Sequence, residues 1–209
     1  MDRRFWTIQP LEVWQTLQRT GEVRVDPTNY HHQHVPERYL WLVDQLRQRC
    51  PGYTGLLPWW AYCEKPDLRT HRHRAALFDR IQQQVRLELE PDPSEVTIFP
   101  IWAWDTVYCG GYLALTLSAK ENWEERWEAH PELEDLWPRP SPWREELEAS
   151  WQLLFSPELP QLCPWRGREY SMFERSVNSE AVVEILKFSA VRRAEVFTQV
   201  SRGIRSPGG

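Results

Sequence analysis

The stretch Val85-Arg86-Leu87-Glu88-Leu89-Glu90 alternates apolar and charged side chains without a break. Successive side chains of a β-strand point to opposite faces, so this period of two predicts a half-buried strand. Pro91, Pro93 and Ser94 follow and predict a turn, after which residues 96–99 predict a second strand. A strand, turn and strand unit is therefore predicted near the middle of the chain.

Patterns on either side of this unit predict further strands and short helices. Residues 5–9 and 23–25 predict strands, and between them apolar residues recur at helical spacing until Gly21. Further helices are predicted from Pro36 to Cys50 and near residues 120–129 and 143–155, and further strands at residues 181–188 and 194–200. The sequence thus predicts an α+β fold: a single domain over residues 1–200, with a small mixed or antiparallel sheet covered by short helices, and a flexible tail at residues 201–209.

Composition limits the class of protein. The 209 residues are 41% hydrophobic and 26% charged, which is ordinary for a soluble globular protein, and the formal net charge of -5 argues against a broad basic face for nucleic acid. No stretch approaches the roughly 20 apolar residues that span a bilayer, and the start of the chain lacks the apolar run of a signal peptide. We therefore expect a cytoplasmic protein without a membrane partner.

The cysteines and histidines do not form a recognisable metal motif. The four cysteines include no Cys-x-x-Cys pair, and His31, His32 and His34 lie in a polar loop without helical His-x-x-x-His spacing. Buried reduced thiols and solvated histidines are the simpler interpretation, so we expect no metal.

Two tryptophan-rich segments, Pro58-Trp59-Trp60-Ala61-Tyr62 and Pro100-Ile101-Trp102-Ala103-Trp104, are the most unusual feature of the chain. Both have the composition of a strand or strand end. Large aromatic side chains either build a core or line a pocket for a flat ligand, and the sequence leaves both alternatives open.

Several polar residues lie close to these segments or in the late strand. Arg69 could bind a phosphate or carboxylate, or form an ion pair with Asp67 in a turn. Asp105 follows the second tryptophan segment directly. Glu180 and Glu184 share one face of the predicted late strand, as rim residues in water or as functional acids with shifted pKa values.

The order of several motifs resembles the bacterial domain of unknown function (DUF) 3841 family. The motifs are Trp6-Thr7-Ile8-Gln9, Trp60-Ala61-Tyr62 followed by Lys65-Pro66-Asp67-Leu68-Arg69, the segment from Trp104 to Leu113, Ser150-Trp151-Gln152-Leu153-Leu154-Phe155, and the late residues around 181–197. The resemblance spans almost the whole chain and implies a small cytosolic α+β domain. It implies no settled activity.

The opening strand, helix, glycine and strand, with a glutamate on a late strand, are also similar in layout to NAD-using ADP-ribosyltransferases. That similarity implies NAD as cofactor, with Thr7 or Gln9 at the ribose. It implies Trp60 or Tyr62 as the residue stacking on nicotinamide, and Glu184 or Glu180 as the catalytic acid. Layout does not fix function.

Two hypotheses follow. The first is a transferase that uses a nucleotide cofactor, with Arg69 at the pyrophosphate and Trp102, Trp104 and Asp105 near the planar ring. The second is a non-catalytic binding module whose tryptophan-lined groove holds a protein, a peptide or a nucleic-acid base. The expected partner is thus a nucleotide or small planar ligand, or a protein or nucleic-acid acceptor. The sequence does not predict an oligomeric state.

Overall fold

The computed structural model of the protein describes residues 3–25, 37–68, 82–133, 138–159, 179–183 and 185–199. The predicted tail at residues 201–209 and the loop histidines 31, 32 and 34 lie outside these ranges. The described strands are β1 (Phe5–Pro10), β2 (Glu22–Arg24), β3 (Trp59–Tyr62), β4 (Gln82–Leu89), β5 (Val96–Pro100), β6 (Ser179–Val183), β7 (Ile185–Lys187) and β8 (Val191–Gln199). The described α-helices are α1 (Leu11–Thr20), α2 (Glu37–Arg49), α3 (Ile101–Tyr108), α4 (Leu117–Glu128) and α5 (Trp143–Trp151).

The alternating stretch forms β4, which lies between β1 and β8 and pairs antiparallel with both. The six strands of this sheet follow the order β5-β6-β3-β1-β4-β8, and β2 pairs antiparallel with β7 in a separate two-stranded sheet. Strands and helices both contribute to the structure, so the predicted α+β class is confirmed.

The two faces of the large sheet differ in polarity. Directly paired residues of antiparallel strands project to the same face, and Thr7 lies opposite Leu87 while Arg86 lies opposite Glu195. The inner face carries buried residues on β1, β3 and β4, which are Phe5, Thr7, Ala61, Val85, Leu87 and Leu89. The opposite face, called the charged face below, carries Trp6, Tyr62, Arg86, Glu88, Arg193 and Glu195. Alternation in the sequence thus separates an apolar layer from a charged one.

Helix α1 ends as the glycine signal predicts. Gly21 takes a left-handed backbone conformation with φ of 81°, and its N–H donates to the Leu17 carbonyl at 2.9 Å. A glycine adopts this conformation without the steric cost that a Cβ brings, so the chain turns directly into β2.

The second tryptophan segment was predicted as a strand or strand end, and this prediction is wrong for residues after Pro100. The chain leaves β5 at Pro100 and forms α3, in which the Thr106 hydroxyl donates to the Trp102 carbonyl one turn earlier. Four residues of α3 are buried: Trp102, Ala103, Trp104 and Val107. A short helix that is apolar on most sides shows no clear period of 3.6, which is why its sequence resembles a buried strand.

The late strand predicted as one element at residues 181–188 is two strands. β6 belongs to the large sheet and β7 pairs with β2 in the small one, with Leu186 opposite Val23 and buried. One straight strand cannot pair in two separate sheets, so the element divides. Residue 184, between the two strands, lies outside the described residues.

The chain divides into two compact units. The first contains the described residues of Met1–Val35, Leu42–Thr97 and Ala181–Gly209, and the second those of Pro36–Trp41 and Ile98–Glu180. The first has its core on the inner sheet face. The core of the second contains aromatic and leucine side chains, among them Phe99, Trp102, Trp104, Trp123, Leu147 and Trp151. The single domain over residues 1–200 stays a prediction.

Candidate functional site

The residues predicted to hold a cofactor in the first unit lie on both faces of the sheet. Thr7 is buried on the inner face, where its hydroxyl accepts a hydrogen bond from the Gln9 amide at 2.7 Å. Tyr62 pairs with Trp6 on the charged face, and Trp60, two residues earlier on β3, shares that face. The structure brings Trp60 and Tyr62 together and places them on the opposite face from Thr7 and Gln9.

The predicted residues of the second tryptophan segment belong to the second unit. Trp102 and Trp104 are 5% and 6% exposed. The Trp104 ring packs edge-on against Tyr39 with centroids 5.4 Å apart, and lies 6.3 Å from the ring of Phe99. Their burial favours the core alternative over the pocket alternative for these two indoles. Asp105 is only partly buried on α3.

Three predicted residues cannot be placed. Arg69 and Glu184 lie outside the described residues, and Glu180 is described only as part of the backbone of β6.

A second aromatic cluster, outside the two tryptophan-rich segments, contains three nearly parallel rings. Three rings of the second unit lie nearly parallel: Tyr112 and Trp123 at 5.1 Å between centroids and 11° between planes, and Trp123 and Trp127 at 5.8 Å and 4°. Tyr112, Trp123 and Trp127 are called the aromatic row below. Trp123, in the middle, is buried, whereas Tyr112 and Trp127 at the ends are partly exposed.

Local sequence explains two of the three residues of this row. Helix α4 begins after Thr116, whose hydroxyl oxygen accepts a hydrogen bond from the Ala119 N–H at 3.2 Å. Trp123 and Trp127 are four residues apart on α4 and therefore lie on the same helix face. The spacing of four residues between Trp123 and Trp127 is the pattern in the sequence that predicts their common helix face, although indoles at this spacing more often belong to a core.

Trp143, the first residue of α5, supports the row from the side. Its ring is nearly perpendicular to those of Trp123 and Trp127, at 84° and 80°, with centroid distances of 6.1 Å and 5.3 Å. Edge-to-face pairs of this kind are worth about 0.5–1.5 kcal/mol beyond the area they bury. The row is therefore held in position by a packed neighbour rather than by the exposed rings alone.

Two arginines contact the aromatic rings in different ways. The guanidinium carbon of Arg139 lies 4.1 Å from the centroid of Trp127 and 5.0 Å from that of Trp123. Arg126 lies over Trp143 at 5.2 Å and donates two hydrogen bonds to the Glu146 carboxylate, at 2.8 Å and 2.7 Å. Arg126 is thus neutralised by a carboxylate. The Nη1 of Arg139 is buried and has no hydrogen-bond acceptor among the described residues.

The electrostatic surroundings of Arg139 disfavour its charge. Burial lowers the pKa of Arg139 from its ordinary value, and the positive charge of nearby Arg38 lowers it further. Burial also lowers the pKa of Arg38. A guanidinium stays protonated in proteins. The lowered pKa of Arg139 therefore means that its surroundings destabilise the charged form, which an added anion would stabilise.

The family model described as "Domain of unknown function (DUF3841)" matches residues 4–161 of the chain. The protein belongs to the DUF3841 family. No curated protein and no solved structure matches the chain significantly.

The DUF3841 match separates the candidate residues into two groups. The aromatic row, Trp143 and Arg139 lie inside the matched residues 4–161. Glu180 and Glu184, predicted as catalytic acids, lie beyond its end, as do β6, β7 and β8. The aromatic cluster therefore belongs to the part of the chain that the family defines.

Two other concave regions of this DUF3841 member, both in its first unit, are small. One cavity of about 210 Å³ is lined by Cys50, Pro51, Gly52, Tyr53, Ser94, Glu95 and Lys187, and Lys187 donates to the Glu95 carboxylate. A gap of about 10 Å³ on the charged face, lined by Trp6, Lys65, Arg86, Glu88, Arg193 and Glu195, has room for about one water. Ligand pockets usually measure roughly 300–1,000 Å³, so both regions are smaller than a typical ligand pocket.

Neither a membrane span nor a metal cluster is present in the described part of the chain. No helix there is long and apolar enough to cross a bilayer. No group of three or more histidine, cysteine, aspartate or glutamate side chains there could hold a metal ion.

Proposed function

We propose that the protein is a non-catalytic binding module that holds a planar ligand on the aromatic row. The observation that carries this proposal is the parallel arrangement of Tyr112, Trp123 and Trp127, with partly exposed rings at both ends. A planar ring stacks on Trp127 and the adjoining guanidinium of Arg139 as the next layer. Stacking of a base on an aromatic side chain contributes roughly 1–3 kcal/mol, which suffices for binding without chemistry.

Preorganisation supports this function. The middle ring is buried and the row is packed against the perpendicular ring of Trp143, so its side chains lose little rotamer freedom when a ligand binds. Ordering an exposed, flexible side chain costs about 0.5–1.5 kcal/mol on binding, a cost that this packing reduces.

The placement of the residues predicted for a transferase favours the module over the enzyme. A ribose contact on the inner face and a stacking residue on the charged face are separated by the sheet itself, so Thr7 and Trp60 cannot bind one NAD molecule from the same side. NAD nevertheless belongs among the ligands to be tested, because it carries two planar rings.

Isothermal titration of adenosine and of NAD into the purified chain tests this proposal. In Trp127→Ala, we expect the affinity for adenosine to fall about tenfold or more, since one stacking contact of roughly 1–3 kcal/mol is lost. Trp14→Ala is the matched control, because Trp14 is also a partly exposed indole stacked on one ring, that of Phe188, in the first unit.

The binding module and the transferase predict different outcomes in this titration. Binding that weakens in Trp127→Ala and stays unchanged in Trp14→Ala supports the module. If adenosine and NAD show no saturable binding, or if both variants bind like the unchanged chain, the proposal is wrong. Conversion of NAD during the titration would favour the transferase hypothesis instead.

A further inference from the structure

We infer that the ligand of the aromatic row is a free nucleotide whose phosphate is bound by the N–H edge of Arg139. This inference rests on the proposed function and adds the chemical class of the ligand. It comes from the position of one guanidinium among the rings.

A guanidinium group offers two different surfaces. Its flat face packs on aromatic rings, while its five N–H donors point outward in the plane of the group. The guanidinium carbon of Arg139 lies over the rings of Trp127 and Trp123, 4.1 Å and 5.0 Å from their centroids, as expected for a contact through the flat face. Nη1 of Arg139 is buried and has no acceptor among the described residues, while the residue as a whole is partly exposed.

Comparison with two other arginines of the second unit shows what is unusual about Arg139. Arg126 donates two hydrogen bonds to Glu146, and the Nε of Arg144 donates to Glu148 at 2.7 Å. Each of these cations is paired with a carboxylate, Arg126 with one on the next helix and Arg144 with one on its own helix. At Arg139 a second cation, Arg38, adds repulsion, and an anion placed at the N–H edge would offset both this repulsion and the burial of the group.

Phosphate fits this edge better than other common anions. It presents several oxygens to parallel N–H donors, so a guanidinium can bind it with two hydrogen bonds, and it carries more charge than a carboxylate. A phosphate attached to a planar base places both groups that the site recognises in one molecule.

The charge around the site favours a free nucleotide over a nucleic-acid strand. Exposed carboxylates lie on α4 itself, at Glu121, Glu125 and Glu128. A strand that extends beyond one nucleotide would bring further phosphates towards these acids, and like charges at close distance are destabilising.

Titration of adenosine, AMP, inorganic phosphate and hexadeoxyadenylate into the full chain tests the inference. We expect AMP to bind about ten- to a hundredfold more tightly than adenosine, the increment of a hydrogen-bonded charge pair. Arg139→Gln should remove this increment, so that AMP and adenosine bind with about equal affinity in this variant, and Arg139→Lys should restore part of the difference. Arg144→Gln is the control, since Arg144 is an exposed arginine of the same unit, and it should keep the full increment.

Equal affinities for AMP and adenosine in the unchanged chain would overturn the inference and leave the proposed function intact, provided that Trp127→Ala still weakens adenosine binding. Tighter binding of hexadeoxyadenylate than of AMP would favour a strand. Loss of all binding of adenosine and AMP would contradict the proposed function as well.

If Arg139→Gln fails to fold, as judged by its far-ultraviolet circular dichroism, the inference is tested with Arg139→Lys instead. An unchanged ratio of AMP to adenosine affinity in that variant, together with a full increment in Arg144→Gln, would show that the paired N–H donors of the guanidinium add nothing to phosphate binding and would overturn the inference.

Discussion

Two arginine–glutamate pairs on the charged face of the sheet have similar chemistry and very different burial. The Arg86 guanidinium donates to the Pro66 carbonyl at 2.8 Å and to the Glu195 carboxylate at 2.5 Å, and its side chain is 9% exposed. The Arg4 guanidinium donates to Glu88 at 2.7 Å, and its side chain is 59% exposed. We predict that replacing Arg86 with methionine destabilises the protein far more than the same replacement of Arg4.

The magnitude follows from what each change leaves behind. Arg86→Met keeps most of the alkyl chain but removes a charged donor from the Pro66 carbonyl, which costs about 1.5–3 kcal/mol. The Glu195 side chain is 40% exposed and can be solvated again, so its part of the loss is about 0–1 kcal/mol. The expected total is about 1.5–4 kcal/mol, against less than about 1 kcal/mol for Arg4→Met.

Urea unfolding followed by tryptophan fluorescence and by circular dichroism measures both free energies of unfolding. The double variant Arg86→Met, Glu195→Gln should cost nearly as much as Arg86→Met alone, because the Pro66 contact carries most of the effect. If Arg86→Met costs no more than Arg4→Met, burial and the Pro66 hydrogen bond do not stabilise this face and the reasoning is refuted.

Further predictions concern the cores and one surface pair. Ser150→Ala should lower the free energy of unfolding by about 1–3 kcal/mol, since its hydroxyl accepts from the buried Leu113 N–H at 3.1 Å; Ser150→Thr is the control that keeps the hydroxyl, and equal losses in both would contradict this. Leu87→Ala on the inner face should cost about 2–5 kcal/mol in the same assay, and a loss below about 1 kcal/mol would contradict the assigned face. Hydrogen bonding to Arg126 lowers the folded-state pKa of Glu146, so its contribution is present above the unfolded pKa and is lost as pH falls through the lowered pKa. The difference in free energy of unfolding between the unchanged chain and Glu146→Gln should therefore shrink below about pH 4. A difference that grows on acidification would show that folding does not lower the pKa of Glu146.

The candidate site was only partly predictable. A helix near residues 120–129 follows from the sequence, and it places Trp123 and Trp127 on one face. The contacts of Tyr112, Trp143 and Arg139 with these two tryptophans do not follow from the sequence. Each of the three comes from a different segment, and their contacts depend on how those segments pack. Proline-rich surroundings favour packing as the interpretation of these tryptophans, and only the partial exposure of Trp127 and the position of Arg139 indicate a binding surface.

Local chemistry alone determined several elements of this protein. Alternation fixed β4 as a strand with a buried side, and a glycine ended α1, because these features depend on neighbouring residues and on backbone sterics. The tertiary structure decided the strand order, the division of the late strand between two sheets, and the helical form of the second tryptophan segment. It also decided that Thr7 and Tyr62 face opposite sides. Register and packing are set by contacts between residues that are far apart in the sequence. The free energy of these contacts outweighs local preference, and such contacts produce no periodic pattern in the sequence.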